Sequence, residues 1–361
     1  MEDLGLSSLP DKEFWSSQRV FLTGHTGFKG SWATMWLERL GARIFGYALP
    51  PDQRPNLYSQ LAPVAGLVSS FGDVSDRAAV RSAAQVARPS VAIHMAAQSL
   101  VRRSYAQPTE TFATNVMGAV HVLEALRDLP DLRAVLIVTT DKVYANSGDG
   151  RAFVESDALG GHDPYSASKA GAELVAASFN ASFFRENRVP VATARAGNVI
   201  GGGDWSQDRI VPDVWRAMQE GRAVELRYPH ATRPWQHVLD PLAGYLLYLE
   251  AMASDPVGSP GTLNFGPTSQ AQEITVCELV ELFGREFGVP GSWVRSDSAG
   301  PGEMETLALD ARAAERSLGW RPHLAPRDAV GWTADWYRRF SAGESGRELV
   351  RAQIEAYEGL P

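Results

Sequence analysis

The stretch Arg19-Val20-Phe21-Leu22-Thr23-Gly24-His25-Thr26-Gly27-Phe28-Lys29-Gly30 decides the fold. Its first five residues are an apolar run short enough for a buried strand, and SWATMWLERLG after Gly30 reads as a helix. Gly24, Gly27 and Gly30 recur at three-residue intervals. Between a strand and a helix, that spacing permits a tight turn, close approach of backbone to a pyrophosphate and close packing of helix on strand. A lone glycine pattern is weak evidence, and its position in a strand, turn and helix unit near the start of the chain makes it a dinucleotide site. His25 puts a bulky ring into this turn, which predicts weak retention of the cofactor.

Working outward, the run from Ala42 to Leu49 reads as the next strand. An acidic residue at its end would hold the adenosine ribose hydroxyls, but Asp52 lies beyond two prolines. NAD is the cofactor adopted here, with Arg54 leaving a phosphorylated ribose open. Strand-like runs then alternate with helical ones: Leu67 to Phe71, Ser75 to Ala87, Val91 to His94, a long helix from Thr111 to Arg127, and Ala134 to Thr140. Val191 to Arg195 reads as a further core strand. This alternation predicts an α/β fold, a Rossmann-like doubly wound parallel sheet with a smaller C-terminal substrate-binding lobe. Residues 1–198 are expected to form the cofactor domain, rejoined by about 232–268, with 199–361 mainly the substrate lobe.

Composition sets the outer bounds. At 361 residues, 44% hydrophobic and 21% charged, the chain is long enough to bury a large core. A formal charge of −8 argues against nonspecific nucleic-acid binding, which needs a basic footprint. Cys277 is the single cysteine, so no internal disulfide forms and no cysteine–histidine metal cluster exists. The acidic, proline-interrupted N-terminus is unlike a secretory signal, and no apolar run approaches the ~20 residues that span a bilayer. A cytoplasmic location with no membrane role is expected.

Two short segments carry chemistry: Thr139-Thr140-Asp141-Lys142 and Tyr165-Ser166-Ala167-Ser168-Lys169. The second lies in an Ala-, Glu- and Leu-rich stretch without internal proline, so Tyr165 and Lys169 project from one helical face. A phenol is protonated at neutral pH, and a neighbouring ammonium favours its phenolate. His94, at a strand end, reads as a packed histidine. Asp73 precedes a helical run, where an acid is also at home as a helix N-terminal residue.

TGHTGFKG, GDVSD, HMAAQ, NVMG from Asn115 to Gly118 and YSASK resemble, in this order, extended short-chain dehydrogenase/reductases that modify nucleotide sugars. MAAQSLVRRSY, TTDKVY, GGHDPYSASKAGAELV, RAGNVIGGGDW, RPWQHVLDPLAGY and NFGP resemble more closely the nucleotide-sugar 4,6-dehydratases, in the branch acting on CDP-glucose. The resemblance implies oxidation of the hexose at C4, loss of water across C5 and C6 and return of the hydride to C6. It implies Tyr165 as the C4-hydroxyl base, Lys169 as its electrostatic partner, Thr140 as a hydroxyl orienting the C4 oxygen, and Asp141 as the acid for the departing C6 hydroxyl. Related dTDP-glucose dehydratases usually carry glutamate where Lys142 stands. As the C5 base, Lys142 must be neutral for part of the time.

The resemblance also implies a cofactor set of Gly24, Thr26, Gly27, Phe28, Gly30, Asp73, Val74, Ala96 and Ala97, besides Tyr165 and Lys169. For the nucleotide sugar it implies Gln98, Asn198, Arg209, Arg227, Arg233 and His237, the arginines suiting a pyrophosphate. The segment ANSGDGRAFVE after Tyr144 is shorter than is usual in the family. The helices holding Asn115 and Tyr165 resemble those that pair across a two-fold axis, implying a homodimer, with tetramers left open. A 4-epimerase is the rival enzyme and needs no acid and base at 141 and 142. A non-catalytic NAD(P) sensor would not need Tyr165 and Lys169.

Overall fold

The computed structural model describes residues 8–146, 148, 150–268, 274–296 and 307–361. Seven strands build one sheet: β1 (Arg19–Thr23), β2 (Arg43–Ala48), β3 (Leu67–Phe71), β4 (Val91–His94), β5 (Ala134–Val138), β6 (Val191–Ala196) and β7 (Thr262–Phe265). Their order is β7-β6-β5-β4-β1-β2-β3, with every neighbouring pair parallel. The strand order reverses direction at β1, and ligands of such sheets bind in the crevice at the strands' carboxyl ends beside that switch. The central strands β4 and β5 are buried throughout, consistent with their continuous apolar runs, whereas the edge strand β3 is largely exposed.

Six helices position the site: α1 (Phe28–Arg39), α2 (Arg77–Ala87), α3 (Gly118–Leu126), α4 (Pro164–Phe179), α5 (Leu239–Ser254) and α6 (Gly346–Glu358). Helix α2 starts two residues later than its sequence suggests. Asp76 caps it, accepting from the backbone N–H groups of Ala78 and Ala79, so Asp73 is not the capping acid. The long helix expected from Thr111 to Arg127 is interrupted. A helix over Pro108–Phe112 passes through a π-turn, Ala113–Met117, before α3. Such turns often mark functional positions, and Asn115 lies within this one.

After β6 the chain leaves the sheet, and the lobe contains a small parallel pair, Val224–Leu226 with Trp293–Arg295. Helix α5 and β7 return to the sheet. The C-terminal helix also reaches the sheet side of the molecule. Helix α6 packs on α1, with the rings of Trp36 and Tyr357 edge-on 5.6 Å apart. Glu358 accepts from Trp36 Nε1 at 2.9 Å and pairs with Arg39 at 2.6 Å. Residues 346–358 therefore pack against the first helix after β1.

Candidate active site

The carboxyl ends of the strands open into one cavity of about 1130 Å³. A small-molecule pocket is typically ~300–1,000 Å³, so this cleft has room for more than one drug-sized ligand. Its floor is the glycine turn. Gly24 has φ +78° and donates its N–H to the Tyr47 carbonyl at 2.9 Å. A Cβ on Gly24 would lie 2.7 Å from the Ala96 nitrogen, and one on Gly30 would lie 2.1 Å from the Gly24 carbonyl oxygen. Helix α1 begins at Gly27 without a side-chain cap, leaving its first N–H groups for an anion. These features fit a dinucleotide's pyrophosphate.

Thr26, Phe28, Asp73, Val74, Ala96 and Ala97 all line the same cleft. At the end of β2 the lining is apolar, Ala48 and Leu49, and neither Asp52 nor Arg54 belongs to it. His25 does not narrow the turn. Its ring is buried beneath the sheet edge, in space that a Cβ on Gly46 would fill, and Nε2 meets Ser69 Oγ at 2.7 Å. Burial lowers its pKa to about 4, so it packs as a neutral ring. The expected weakening of cofactor binding loses its physical basis. His94 is also a packed histidine, joined to Thr23 Oγ1 at 2.7 Å and pushed down to about 3 by burial.

Thr140, Asp141, Lys142, Tyr165 and Lys169 meet in the cleft. The chain turns sharply after β5 into a 3-10 turn, Asp141–Val143, which presents the first three side chains. Helix α4 presents the other two. It is capped by Asp163, whose Oδ1 accepts from the Ser166 N–H at 3.0 Å, and tied to the π-turn by Asn115 Nδ2 donating to Ser168 Oγ at 2.8 Å. Lys169 Nζ donates to the Val138 carbonyl at 3.0 Å, and burial lowers its pKa to about 8.

Burial pushes Tyr165 up to about 12; a hydrogen bond with Thr140 and the charge of Arg209 oppose that rise most.

Asp141 is the least conventional group in the site. It is 1% exposed, accepts one hydrogen bond from Thr140 Oγ1 at 2.9 Å, and leaves Oδ2 without a partner. Burial raises its pKa despite opposition led by Lys142. Its carboxyl sits over Gly197: a Cβ there would come within 1.7 Å of Oδ2. Lys142 beside it is half-buried.

Beneath the site lies a fully bonded cluster. Glu173 accepts from Arg195 Nε at 3.0 Å and Nη2 at 2.8 Å, from Thr193 Oγ1 at 2.7 Å and from Thr139 Oγ1. Arg195 also donates to the Tyr144 hydroxyl at 2.8 Å, which donates to Asn264 at 2.7 Å. This cluster joins β5, β6, β7 and α4 directly below Thr140.

The residues expected to bind the nucleotide sugar divide into two groups. Asn198, Arg209, Arg227 and Arg233 line the cleft. Asn198 adopts φ +44° and leaves a buried Nδ2 unbonded. Arg209 is held by Asp204 at 3.0 Å and by Ser99 Oγ at 2.9 Å. Gln98 and His237 lie outside the lining. The Gln98 side chain bonds internally to Leu100 and Thr111. His237 is wholly buried between the rings of Trp32 and Trp332, with its pKa lowered to about 3. Both shape the fold rather than the cleft.

Three contributors escaped sequence reasoning. Asn115 is the inter-helix clamp, Gly197 is the seat of Asp141, and Lys29 of the glycine turn lines the cleft. Among the described residues no group of three or more His, Cys, Asp or Glu side chains is arranged to hold a metal.

Residues 21–331 match the model of the GDP-mannose 4,6 dehydratase family. The chain belongs to that family. This GDP-mannose 4,6 dehydratase family member is 39% identical to the CDP-glucose 4,6-dehydratase of Salmonella typhimurium over 355 residues, covering 96% of this chain and 98% of the relative. It is 30% identical to a dTDP-glucose 4,6-dehydratase of Xanthomonas campestris, covering 88% and 92%. The crystal structure of a Bacillus anthracis dTDP-glucose 4,6-dehydratase in complex with NAD superposes with a TM-score of 0.72 at 21% identity, covering 92% of this chain and 99% of that one. At that identity the likeness speaks for the family member's fold alone.

Proposed function

We propose that this chain is a lyase that converts CDP-D-glucose into CDP-4-dehydro-6-deoxy-D-glucose with NAD as its cofactor. The observation that carries this reading is a buried, incompletely bonded Asp141 beside Lys142, in one cleft with Thr140 and Tyr165. A 4-epimerase has no elimination step and no use for that pair. The 39% identity to a CDP-glucose 4,6-dehydratase supports the same substrate.

When bound on the glycine turn, NAD supplies an acceptor for the C4 hydride and later its donor to C6. Tyr165 takes the C4 hydroxyl proton while Thr140 orients the oxygen. The C4 ketone acidifies the C5 proton, which passes to the Lys142 amine. Asp141 gives its proton to the C6 oxygen, the C6–O bond breaks and water leaves. Burial, which raises the Asp141 pKa above the usual carboxylate value, suits it to this step. Lys169 steadies the ribose, and Arg209, Arg227, Arg233 and Asn198 hold the substrate's pyrophosphate and sugar.

In this reading residues 1–198 with 232–268 carry the cofactor, and most of the remainder carries the nucleotide sugar. Exposed apolar side chains, Tyr105, Phe112 and Met117 along one helical run with Leu174 and Phe183 beside it, are the faces of a homodimer. No described helix is long and apolar enough to cross a membrane, and the enzyme works in the cytoplasm.

The test is incubation with CDP-glucose and NAD in deuterated water, with dTDP-, UDP- and GDP-glucose in parallel. Loss of one water, deuterium at C5 and no net NADH are expected, with CDP-glucose preferred. Unchanged mass with inversion at C4 would replace the dehydratase with an epimerase.

A further inference from the structure

Arg209 is the residue at which the helix Ile210–Gln219 begins, and that helix has no side-chain cap. Ile210 and Val211 line the cleft together with Arg209. Uncapped N–H groups of a first helical turn and a guanidinium therefore stand at one place on the cleft wall. The positive end of the helix dipole disfavours a cation set there. Left to itself, a long and flexible arginine would turn away.

Two side chains hold it. Asp204 Oδ2 accepts from Arg209 Nη1 at 3.0 Å, and Ser99 Oγ accepts from Nη2 at 2.9 Å. Asp204 is itself fixed, because Oδ1 accepts from the Ser206 N–H at 3.0 Å and its backbone carbonyl accepts from the Tyr337 hydroxyl. Its side chain is 6% exposed, whereas that of Arg209 is 32% exposed and keeps part of its surface in the cleft. Ser99 comes from a different part of the chain, the segment that follows β4. Three residues further on, Arg102 pairs with Asp208 at 2.7 Å, a second tie between the same two segments. The bonds to Asp204 and Ser99 occupy two of the five guanidinium N–H groups. Among the described residues no other group accepts from Arg209.

We propose that Asp204 and Ser99 are positioning residues for substrate binding, holding the Arg209 guanidinium at the helix end so that its remaining N–H groups meet the substrate's diphosphate. The inference rests on the reading of Arg209 as a diphosphate partner in an enzyme of CDP-glucose. No bond to the substrate is made by either residue. Their effect is preorganisation, since the rotamer freedom of a long arginine is lost on folding and not on binding. The opposing effect is that the Asp204 carboxylate repels an incoming anion, and the two effects predict opposite results on its removal.

The experiment is a double-mutant cycle on CDP binding, measured by calorimetry with NAD present, using wild type, D204N, R209Q and D204N/R209Q. R209Q should weaken CDP about 10- to 100-fold, the loss expected for hydrogen bonds from a charged donor. D204N has one oxygen for two donors and should weaken CDP roughly 3- to 10-fold, the cost of ordering one long side chain on binding. In the R209Q background the same change should cost less than about 2-fold, because Asp204 acts through Arg209. With CDP-glucose as substrate, the loss in D204N should appear in KM and leave kcat within about 2-fold, as for contacts shared by ground and transition states. S99A should weaken CDP in the same direction, and it replaces D204N in the cycle if a urea melt shows that D204N does not fold.

Unchanged or tighter CDP binding by D204N would overturn the proposal, and so would an equal loss in both backgrounds, which would make Asp204 a support of the lobe only. CDP bound by R209Q as tightly as by wild type would sink the proposal while wild-type dehydration of CDP-glucose stood. A wild type that neither binds CDP nor dehydrates CDP-glucose would sink the underlying reading and the proposal with it.

Discussion

Two carboxylates buried to nearly the same degree, Glu173 at 4% exposure and Asp141 at 1%, lie in adjoining layers of the molecule and are treated in opposite ways. Glu173 has both oxygens occupied by Arg195, Thr193 and Thr139. Asp141 has one bond and one bare oxygen. A satisfied buried charge fixes structure, because its only low-energy arrangement is the one observed. An unsatisfied one is retained where its changing protonation is used. The layer below the site is thus a rigid support, and in the proposed reaction the layer above it holds the proton that moves.

Substitutions can break this contrast from either side. The largest effect belongs to the reactive layer: Tyr165→Phe should reduce C4 oxidation by roughly 100- to 10,000-fold, the range of a lost general base, with little change in stability. Absorbance at 340 nm in a single turnover, alongside a denaturant melt, reads both.

In the supporting layer the order reverses. Arg195→Met leaves Glu173 buried without its main partner and should cost about 3–5 kcal/mol of stability, measured by urea unfolding. If Arg195→Met and Tyr165→Phe lowered stability equally, the division into layers would fail.

Gly197→Ala links the two layers, because its methyl group needs the space of the Asp141 carboxyl. Displacement on the scale of an ångström should slow elimination by up to about 100-fold while oxidation at C4 falls less. The rates of NADH appearance and product release separate these effects.

A further effect lies outside the cleft. Asp240, held by Tyr357 at 2.9 Å and the His323 N–H at 2.8 Å, is pushed up to about 7 by burial. Its folded state binds a proton that the unfolded chain releases near the usual carboxylate pKa. Stability should therefore fall as pH rises from about 4 to 7. Glu250 is raised by burial to about 7 as well and acts with the same sign. Melting curves of Asp240→Asn should show a shallower decline across that window than wild type.

What could be read from the sequence was local. The glycine spacing, the run from Thr139 to Lys142 and the Tyr165–Lys169 pair each place their chemistry within one strand, turn or helix, so the periodicity of that element suffices. The rest depends on contacts between distant segments. Gly197 has no signal of its own until β6 carries it beneath Asp141. Gln98 and His237 sit in the expected segments but turn inward, which spacing cannot distinguish from turning toward the cleft. Asp73 reads as the helix-start acid by composition, and only the backbone geometry of α2 selects Asp76 instead.

The most direct test follows CDP-glucose deuterated at C4 through wild type and Asp141→Asn in a rapid-quench experiment. Wild type should deliver the deuterium to C6 of a dehydrated sugar. Asp141→Asn should still remove it from C4, then stall with reduced cofactor and a sugar that has kept its water. Full dehydration by Asp141→Asn at the wild-type rate would contradict the assignment of the bare carboxyl as the acid of the reaction.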